Sequence, residues 1–221
     1  MNSSLEYYIY GEIVPRYSEF DAAHKEDHAL TVVSQALKLL SDREAWLAAQ
    51  ENADSFWRSE VNPELLLAAA ACHDLGLANG RERHHLDSGV IIRNDVKLRE
   101  WFSDSEIETI AQAAEDHRAS GVAAPRSIYG MIVAEADRVI DGETIIRRTI
   151  QFGFKHYPGL NCQEHIARAI EHLHEKYGRG GYMKLWIPWS DNAARLSALQ
   201  DLIDDPVALL KEVTRIYEDL V

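Results

Sequence analysis

The chain has 221 residues, and with 46% of them hydrophobic and 27% charged its composition is that of a folded protein and argues against disorder. A formal net charge of −13 argues against a nucleic-acid polymer as partner, because phosphate backbones are bound by basic surfaces. Two cysteines are too few for a disulfide framework, and no apolar segment reaches the ~20 residues that span a bilayer. We therefore expect a protein of the reducing cytoplasm with no membrane partner.

Helical periodicity runs along most of the chain, and no stretch alternates apolar and polar residues as a strand does. Ser103 and Glu106 form a capping box at the start of one helix, and Pro125 suits the first turn of another. The expected fold class is all-α. The first four helices are predicted from about residue 21 into the forties, over 65–73, over 103–118, and from 125 to about 141.

Beyond residue 153 the pattern changes to helices separated by Gly-rich and aromatic connections. We interpret residues 1–221 as a single domain, in which residues 20–152 form the core. Residues 153–221 are expected to be a C-terminal helical extension packed on that core. The glycines of YGRGGYMKLWIPW match neither a P-loop nor a dinucleotide-binding motif, so this segment is interpreted as a helix end with aromatic core residues.

Several of the expected helices carry a histidine or an aspartate at the edge of a buried face: His28, His73 with Asp74, His117, and Asp137. A buried carboxylate is costly unless it is paired or coordinates a metal ion. A lone histidine on an apolar face is more often a core residue, so only the whole set favours a site. A divalent cation bound by all of them would explain why the apolar run 65–72 leads directly into His73 and Asp74.

These residues, in this order, resemble the H…HD…D signature of the HD-domain metal-dependent phosphohydrolase superfamily. His28 is followed by ALTVV, the run LLLAAAAC leads into HDLG, and Asp137 stands in IVAEADRVID. The resemblance covers about residues 20–152, which makes this segment the HD core, and it implies an all-helical bundle. It also implies metal-assisted hydrolysis by a metal-activated water, with Asp74 at the catalytic centre.

Two further histidines resemble those of the dinuclear branch of the superfamily, H…HD…H…H…D, since His85 precedes LDSG and His117 precedes RASG. One ion or two stays open, and His84 competes with His85 if the loop register differs by one residue. Mixed nitrogen and oxygen ligands suit Mn, Fe, Ni or Co better than Mg. The ligand set that the resemblance implies is His28, His73, Asp74, His85, His117 and Asp137, with Asp74 shared by two divalent transition-metal ions.

The resemblance implies a small phosphorylated metabolite or nucleotide as the substrate. His24 precedes His28 by one helical turn, and Arg118 adjoins an implied ligand, where a guanidinium can bind phosphate through two hydrogen bonds. For each candidate, a solvated or ion-paired side chain is the alternative interpretation. The candidates for substrate binding are His24, His84, Arg81, Arg118, Arg147 and Lys184.

Two other functions are compatible with the same residues. A minority of HD proteins use the six-ligand set around two irons as an oxygenase, and ligand types alone do not separate this reaction from hydrolysis. A non-catalytic HD module that senses a nucleotide is the second alternative, although the intact ligand set weighs against it. The sequence does not choose an oligomeric state, and a homodimer is compatible with it.

Overall fold

The structure is a computed structural model that describes residues 2–20, 24–121 and 123–221. Within these ranges the chain forms ten α-helices and no strand, which confirms the all-α class. None of the described helices is long and apolar enough to cross a membrane. The helices are α1 (Ser3–Tyr8), α2 (Glu26–Ala48), α3 (Pro63–Cys72), α4 (His84–Asn94), α5 (Asp104–Asp116), α6 (Ile128–Asp137), α7 (Gly142–His156), α8 (Cys162–Tyr177), α9 (Asn192–Ile203) and α10 (Pro206–Glu218).

The chain divides into two compact units, where the sequence predicts one domain over residues 1–221. The first unit comprises Met1–Arg138 with Trp186–Ser190, and the second comprises Val139–Leu185 with Asp191–Val221. The boundary between these two units falls before α7. The reason is that the apolar face of α7 packs against α8 and α10, in a hydrophobic core that is separate from that of the first unit.

Helix α3 is the central helix of the first unit and contacts α2, α5 and α6. Asn62 caps its N-terminus by accepting a hydrogen bond from the backbone N–H of Glu64, and Pro63 occupies its first turn. Every side chain from Leu65 to Cys72 is buried. A helix that is apolar on all sides is stable only when other helices surround it, so the apolar run places the end of α3 inside the unit.

Helix α6 begins and ends at different residues from those predicted. Its N-cap is Ser127, which accepts a hydrogen bond from the N–H of Gly130, so Pro125 precedes the helix instead of occupying its first turn. It ends at Asp137, where Arg138 leaves the helical conformation, and Asp141 caps the next helix by accepting from the N–H of Thr144. The predicted capping box of α5 is present. The predicted start of α2, at residues 21–23, lies outside the described residues.

The segment Trp186–Ser190 returns to the first unit from the second half of the chain. Ile187 is buried in the first core, and the indole N–H of Trp189 donates to the carbonyl oxygen of Leu39 at 2.8 Å. The Trp189 ring lies 5.0 Å from that of Trp46 and 5.4 Å from that of Trp57, measured between centroids. These contacts explain why an aromatic stretch stands between two helices of the second unit.

Gly76 lets the turn after α3 lie directly on the first turns of α4. A Cβ atom at this position would lie 2.0 Å from the carbonyl oxygen of His84 and 2.5 Å from the backbone nitrogen of Ser88. The Gly76 N–H donates to the hydroxyl of Ser88 at 2.8 Å. Because these neighbours are backbone atoms, they cannot move aside without moving α4 itself.

We expect the substitution Gly76→Ala to destabilise the protein by about 3 kcal/mol or more, since overpacking against backbone is costly. In a thermal unfolding experiment this loss corresponds to a midpoint lowered by roughly 5 °C or more. Gly159→Ala is the matched control, because a Cβ atom there meets nothing within 4 Å and the backbone is not in the left-handed region. Equal midpoints for the two variants would contradict the close approach at Gly76.

Candidate metal centre

Five helices of the first unit begin or end at one cluster of imidazole and carboxylate side chains. Three of these helices end there, α3, α5 and α6, and two begin there, α2 and α4. The ends of helices are where side chains can turn inward without interrupting backbone hydrogen bonds. The cluster consists of His28 in the first turn of α2, His73 and Asp74 after α3, His84 at the start of α4, His117 after α5, and Asp137 at the end of α6.

The first group of potential ligand atoms consists of His28, His73 and Asp137, all of which lie within 4.8 Å of one another. The Nε2 atoms of His28 and His73 are 3.3 Å apart. The Oδ1 atom of Asp137 lies 3.3 Å from Nε2 of His28 and 3.8 Å from Nε2 of His73. These three residues are spread over more than a hundred positions of the sequence, and the helical packing brings them together.

The second group consists of Asp74, His84 and His117. The Oδ1 atom of Asp74 lies 3.4 Å from Nε2 of His84 and 3.3 Å from Nε2 of His117, and these two nitrogen atoms are 3.3 Å apart. The other carboxylate oxygen of Asp74, Oδ2, faces the first group, at 3.7 Å from His28 Nε2 and 3.4 Å from His73 Nε2. One carboxylate therefore faces both groups.

Three of the histidines are oriented by the same hydrogen bond. Each places Nδ1 against the carbonyl oxygen of the residue three positions earlier in the chain. A carbonyl oxygen only accepts hydrogen bonds, so Nδ1 carries a proton and Nε2 is the nitrogen atom that faces the cluster. The pairs are His73 with Ala70 at 2.8 Å, His84 with Arg81 at 2.7 Å, and His117 with Ala114 at 2.5 Å.

The distances within the second group suit a bound cation. The Nε2 atoms of His84 and His117 face each other at 3.3 Å, and the Oδ1 atom of Asp74 is buried without a hydrogen-bond partner among the described residues. A proton or a cation between these atoms would satisfy them. Two ligands of one metal ion with bonds of ~2.1 Å lie about 3.0–3.4 Å apart, which is the separation of these atoms.

The electrostatics of the cluster show how its charges are balanced by protons. Burial opposes ionisation of Asp74 and Asp137, but the surrounding imidazoles outweigh it and hold the pKa of both carboxyls below the ordinary value. Burial would lower the pKa of His28, yet its hydrogen bonds to Asp137 and Asp74 raise that pKa to about 9. Burial would also lower the pKa of His117, but the neighbouring carboxylates of Asp74 and Asp137 outweigh it and raise that pKa. A cation bound here would displace these protons, so its binding is coupled to proton release.

The two groups have a buried floor and a more exposed rim. The side chains of His73, His117 and Asp74 are at most 4% exposed, whereas those of His28 and His84 are 14% and 16% exposed. Asp137 is the most exposed, at 26%. The cluster is therefore open to solvent on the side of His28, His84 and Asp137.

The structure corrects the expected position of His85. His84, and not His85, lies in the second group, and His85 belongs to neither group among the described residues. Successive residues of a helix project about 100° apart, so only one of two adjacent histidines can face Asp74. The ring of His85 packs beside that of His84, with 5.5 Å between centroids. Burial, with help from the charge of Arg118, lowers the pKa of His85 to about 4.

The other predicted substrate-binding residues differ in where they lie. The ring of His24 is edge-on to that of His28, with 5.4 Å between centroids, and Nη1 of Arg118 donates to the carbonyl oxygen of Glu82 at 2.7 Å. The backbone carbonyl of Arg81 orients His84, which is itself a member of the ligand group. Two candidates, Arg147 and Lys184, belong to the second unit.

Arg147 forms an ion pair with Glu143 one turn earlier on α7, at 2.8 Å, and its guanidinium also lies 3.7 Å from the carboxylate of Asp219. These are the contacts of a partly exposed residue on the surface of the second unit. The observed contacts of Arg147 are those of an ion-paired arginine, which is the alternative interpretation given in the sequence analysis. A substrate-binding role for Arg147 or Lys184 stays a prediction.

Tyr17 is a residue at the cluster that the sequence analysis missed. Its hydroxyl oxygen accepts a hydrogen bond from the backbone N–H of Asp74 at 3.2 Å, and the side chain is fully buried. A tyrosine within an apolar pattern resembles any other core residue, so no signal in the sequence marks it.

The comparison with protein families agrees with this geometry. A family model described as HD domain matches residues 26–142, more than half of the chain, and all six residues of the two ligand groups lie within the match. Neither a search of curated proteins nor a search of solved structures found a match. The family consists largely of metal-dependent hydrolases. The resemblance drawn from the signature residues is thus confirmed, and the chain belongs to the HD-domain family.

Proposed function

We propose that the protein is a metal-dependent hydrolase of phosphate ester or phosphoanhydride bonds in a small phosphorylated metabolite or nucleotide. The observation that carries this proposal is the carboxylate of Asp74, whose two oxygen atoms face two separate groups of nitrogen ligands. Membership of a family composed largely of metal-dependent hydrolases supports the reaction class.

The proposed ligand set is that of the sequence analysis with His84 in place of His85. His28, His73 and Asp137 would hold one divalent cation, His84 and His117 a second, and Asp74 would be shared between them. Such a set of four imidazoles and two carboxylates suits Mn, Fe, Co or Ni better than Mg. Bound divalent ions of this kind activate water near neutral pH and stabilise negative charge on phosphoryl oxygens.

The chain itself contributes preorganisation. The Nδ1 hydrogen bonds of His73, His84 and His117 fix the rings before any ligand arrives, so little reordering is needed on binding. The buried floor keeps bulk water away from Asp74, while the more exposed rim admits the phosphoryl group. Because Asp74 stays ionised throughout the physiological pH range, its two oxygen atoms remain acceptors.

We propose Arg118 and His24 as the residues that bind the substrate next to the rim. Arg118 follows a ligand in the chain, and its hydrogen bond to Glu82 anchors the guanidinium over the loop that precedes α4. A guanidinium has five N–H groups in a rigid plane and can hold a phosphate through two of them. His24 stands against His28 and offers a second polar contact at the opposite ligand group.

Metal content tests the revised ligand set. For the wild-type protein loaded with Mn²⁺ and desalted, we expect about two ions per chain by elemental analysis, the number that two ligand groups bind. His84→Ala should lose one of them, since it removes a nitrogen ligand of the second group. His85→Ala is the matched control and should retain both.

The reverse result, with an ion lost in His85→Ala and none in His84→Ala, would contradict the observed register of α4. One ion per chain in the wild-type protein would contradict a dinuclear site. A protein that binds no divalent ion would favour the non-catalytic module instead.

Hydrolytic activity tests the reaction class. We expect Asp74→Asn to lower kcat on phosphomonoester, phosphodiester or nucleotide substrates by about 100-fold or more, beyond the usual effect of losing a residue that only supports a ligand. The matched control is Asp104→Asn, which changes a highly exposed carboxylate at the start of α5 and should leave activity unchanged.

The same assay under anaerobic conditions separates the two catalytic alternatives. A hydrolase keeps its rate without oxygen, because water is the only co-reactant. A reaction that stops when oxygen is removed, with iron as the bound metal, would instead support the di-iron oxygenase.

A further inference from the structure

The last turn of α3 needs hydrogen-bond partners that its own helix cannot supply. The final carbonyl groups of any α-helix have no intrahelical donor, and those of Ala70 and Ala71 belong to fully buried residues. Buried carbonyl groups without a donor are strongly disfavoured. The imidazole of His73 satisfies Ala70, so a second donor is required for Ala71.

Tyr17 supplies that donor and completes the turn. Its hydroxyl donates to the carbonyl oxygen of Ala71 at 2.8 Å and accepts from the backbone N–H of Asp74 at 3.2 Å. The hydroxyl therefore links the helix to the residue that leaves it. Burial and the nearby charge of Asp74 raise the pKa of Tyr17 well above its ordinary value, so it keeps the proton that it donates.

We propose that Tyr17 is a positioning residue for the metal ligands His73 and Asp74. By holding the Asp74 N–H outside the helical hydrogen-bond pattern, its hydroxyl sets the direction in which the Asp74 carboxylate leaves the backbone. That direction decides whether the two carboxylate oxygens face both ligand groups. The inference rests on the proposed metal site and adds to it a residue from outside the segment that matches the family.

The hydroxyl of Tyr17 can be tested separately from the packing of its ring. It lies in the 3₁₀ helix Val14–Glu19, before the matched residues 26–142. Its ring packs against those of Phe20 and His73, with 5.2 Å and 6.3 Å between the ring centroids. Tyr17→Phe keeps this ring and removes only the oxygen atom, so it tests the hydroxyl and leaves the apolar contacts in place.

The experiment compares Tyr17→Phe with Tyr8→Phe in the full chain. Tyr8 is also buried in the N-terminal segment, but its hydroxyl donates to Asp95 and not to a residue of α3 or the ligand groups. Both variants lose one buried hydrogen-bonded hydroxyl, so both should unfold at a lower temperature. Their responses to Mn²⁺ should differ.

For Tyr17→Phe we expect the dissociation constant for Mn²⁺, measured by calorimetry, to rise about 10-fold or more, as it does when a residue that orients a ligand is lost. Hydrogen exchange of the Asp74 amide, followed by NMR in the metal-free protein, should become about 10-fold faster or more, because its acceptor is gone. Tyr8→Phe should leave both quantities within about twofold of wild type, despite its lower midpoint.

A dissociation constant for Tyr17→Phe equal to that of wild type would overturn the inference, and so would an unchanged exchange rate at Asp74. An equal loss of Mn²⁺ affinity in Tyr8→Phe would assign the effect to general destabilisation and would also overturn it. If the wild-type protein binds no Mn²⁺, the proposed function fails, whereas the exchange rate still decides whether Tyr17 holds the Asp74 backbone.

Discussion

The hydrogen bond between a histidine Nδ1 and the carbonyl oxygen three residues earlier is the interaction on which the cluster depends. Helices α3 and α5 each end one residue before a histidine, and each leaves carbonyl groups without an intrahelical donor. The imidazole satisfies one of these groups, as at Ala70 and Ala114, and in doing so turns its other nitrogen inward. One contact thus satisfies a carbonyl group at the end of a buried helix and also orients an imidazole toward the cluster.

The charges of the cluster require protons or cations between its carboxylate and imidazole groups. Two carboxylates lie close together here, one of them buried, and an uncompensated buried negative charge is costly. Protons held by His28 and His117 provide the compensation when no cation is present, which the raised pKa values of both residues reflect. A metal ion bound here would compete with these protons for the same atoms, so its affinity would increase with pH.

The segment that matches the family does not form the first unit by itself. The N-terminal residues contribute buried side chains such as Ile9 and Ile13 to the same hydrophobic core, in addition to the hydroxyl of Tyr17. The segment Trp186–Ser190 adds Ile187 and the indole of Trp189 from the far end of the chain. Parts of the chain with no signature of their own therefore complete the framework that holds the ligands.

The sequence by itself predicted the all-α class, four of the helices of the first unit and five members of the cluster, because caps, apolar periodicity and the His-Asp pair are written in short stretches of chain. Local pattern could not decide between His84 and His85, since the choice depends on how α4 lies against Gly76. Nor could it show which core the amphipathic face of α7 packs in, or identify Tyr17, whose partner Asp74 lies 57 residues away. Only the tertiary structure decided these points, because they depend on which atoms meet across elements that are far apart in the chain.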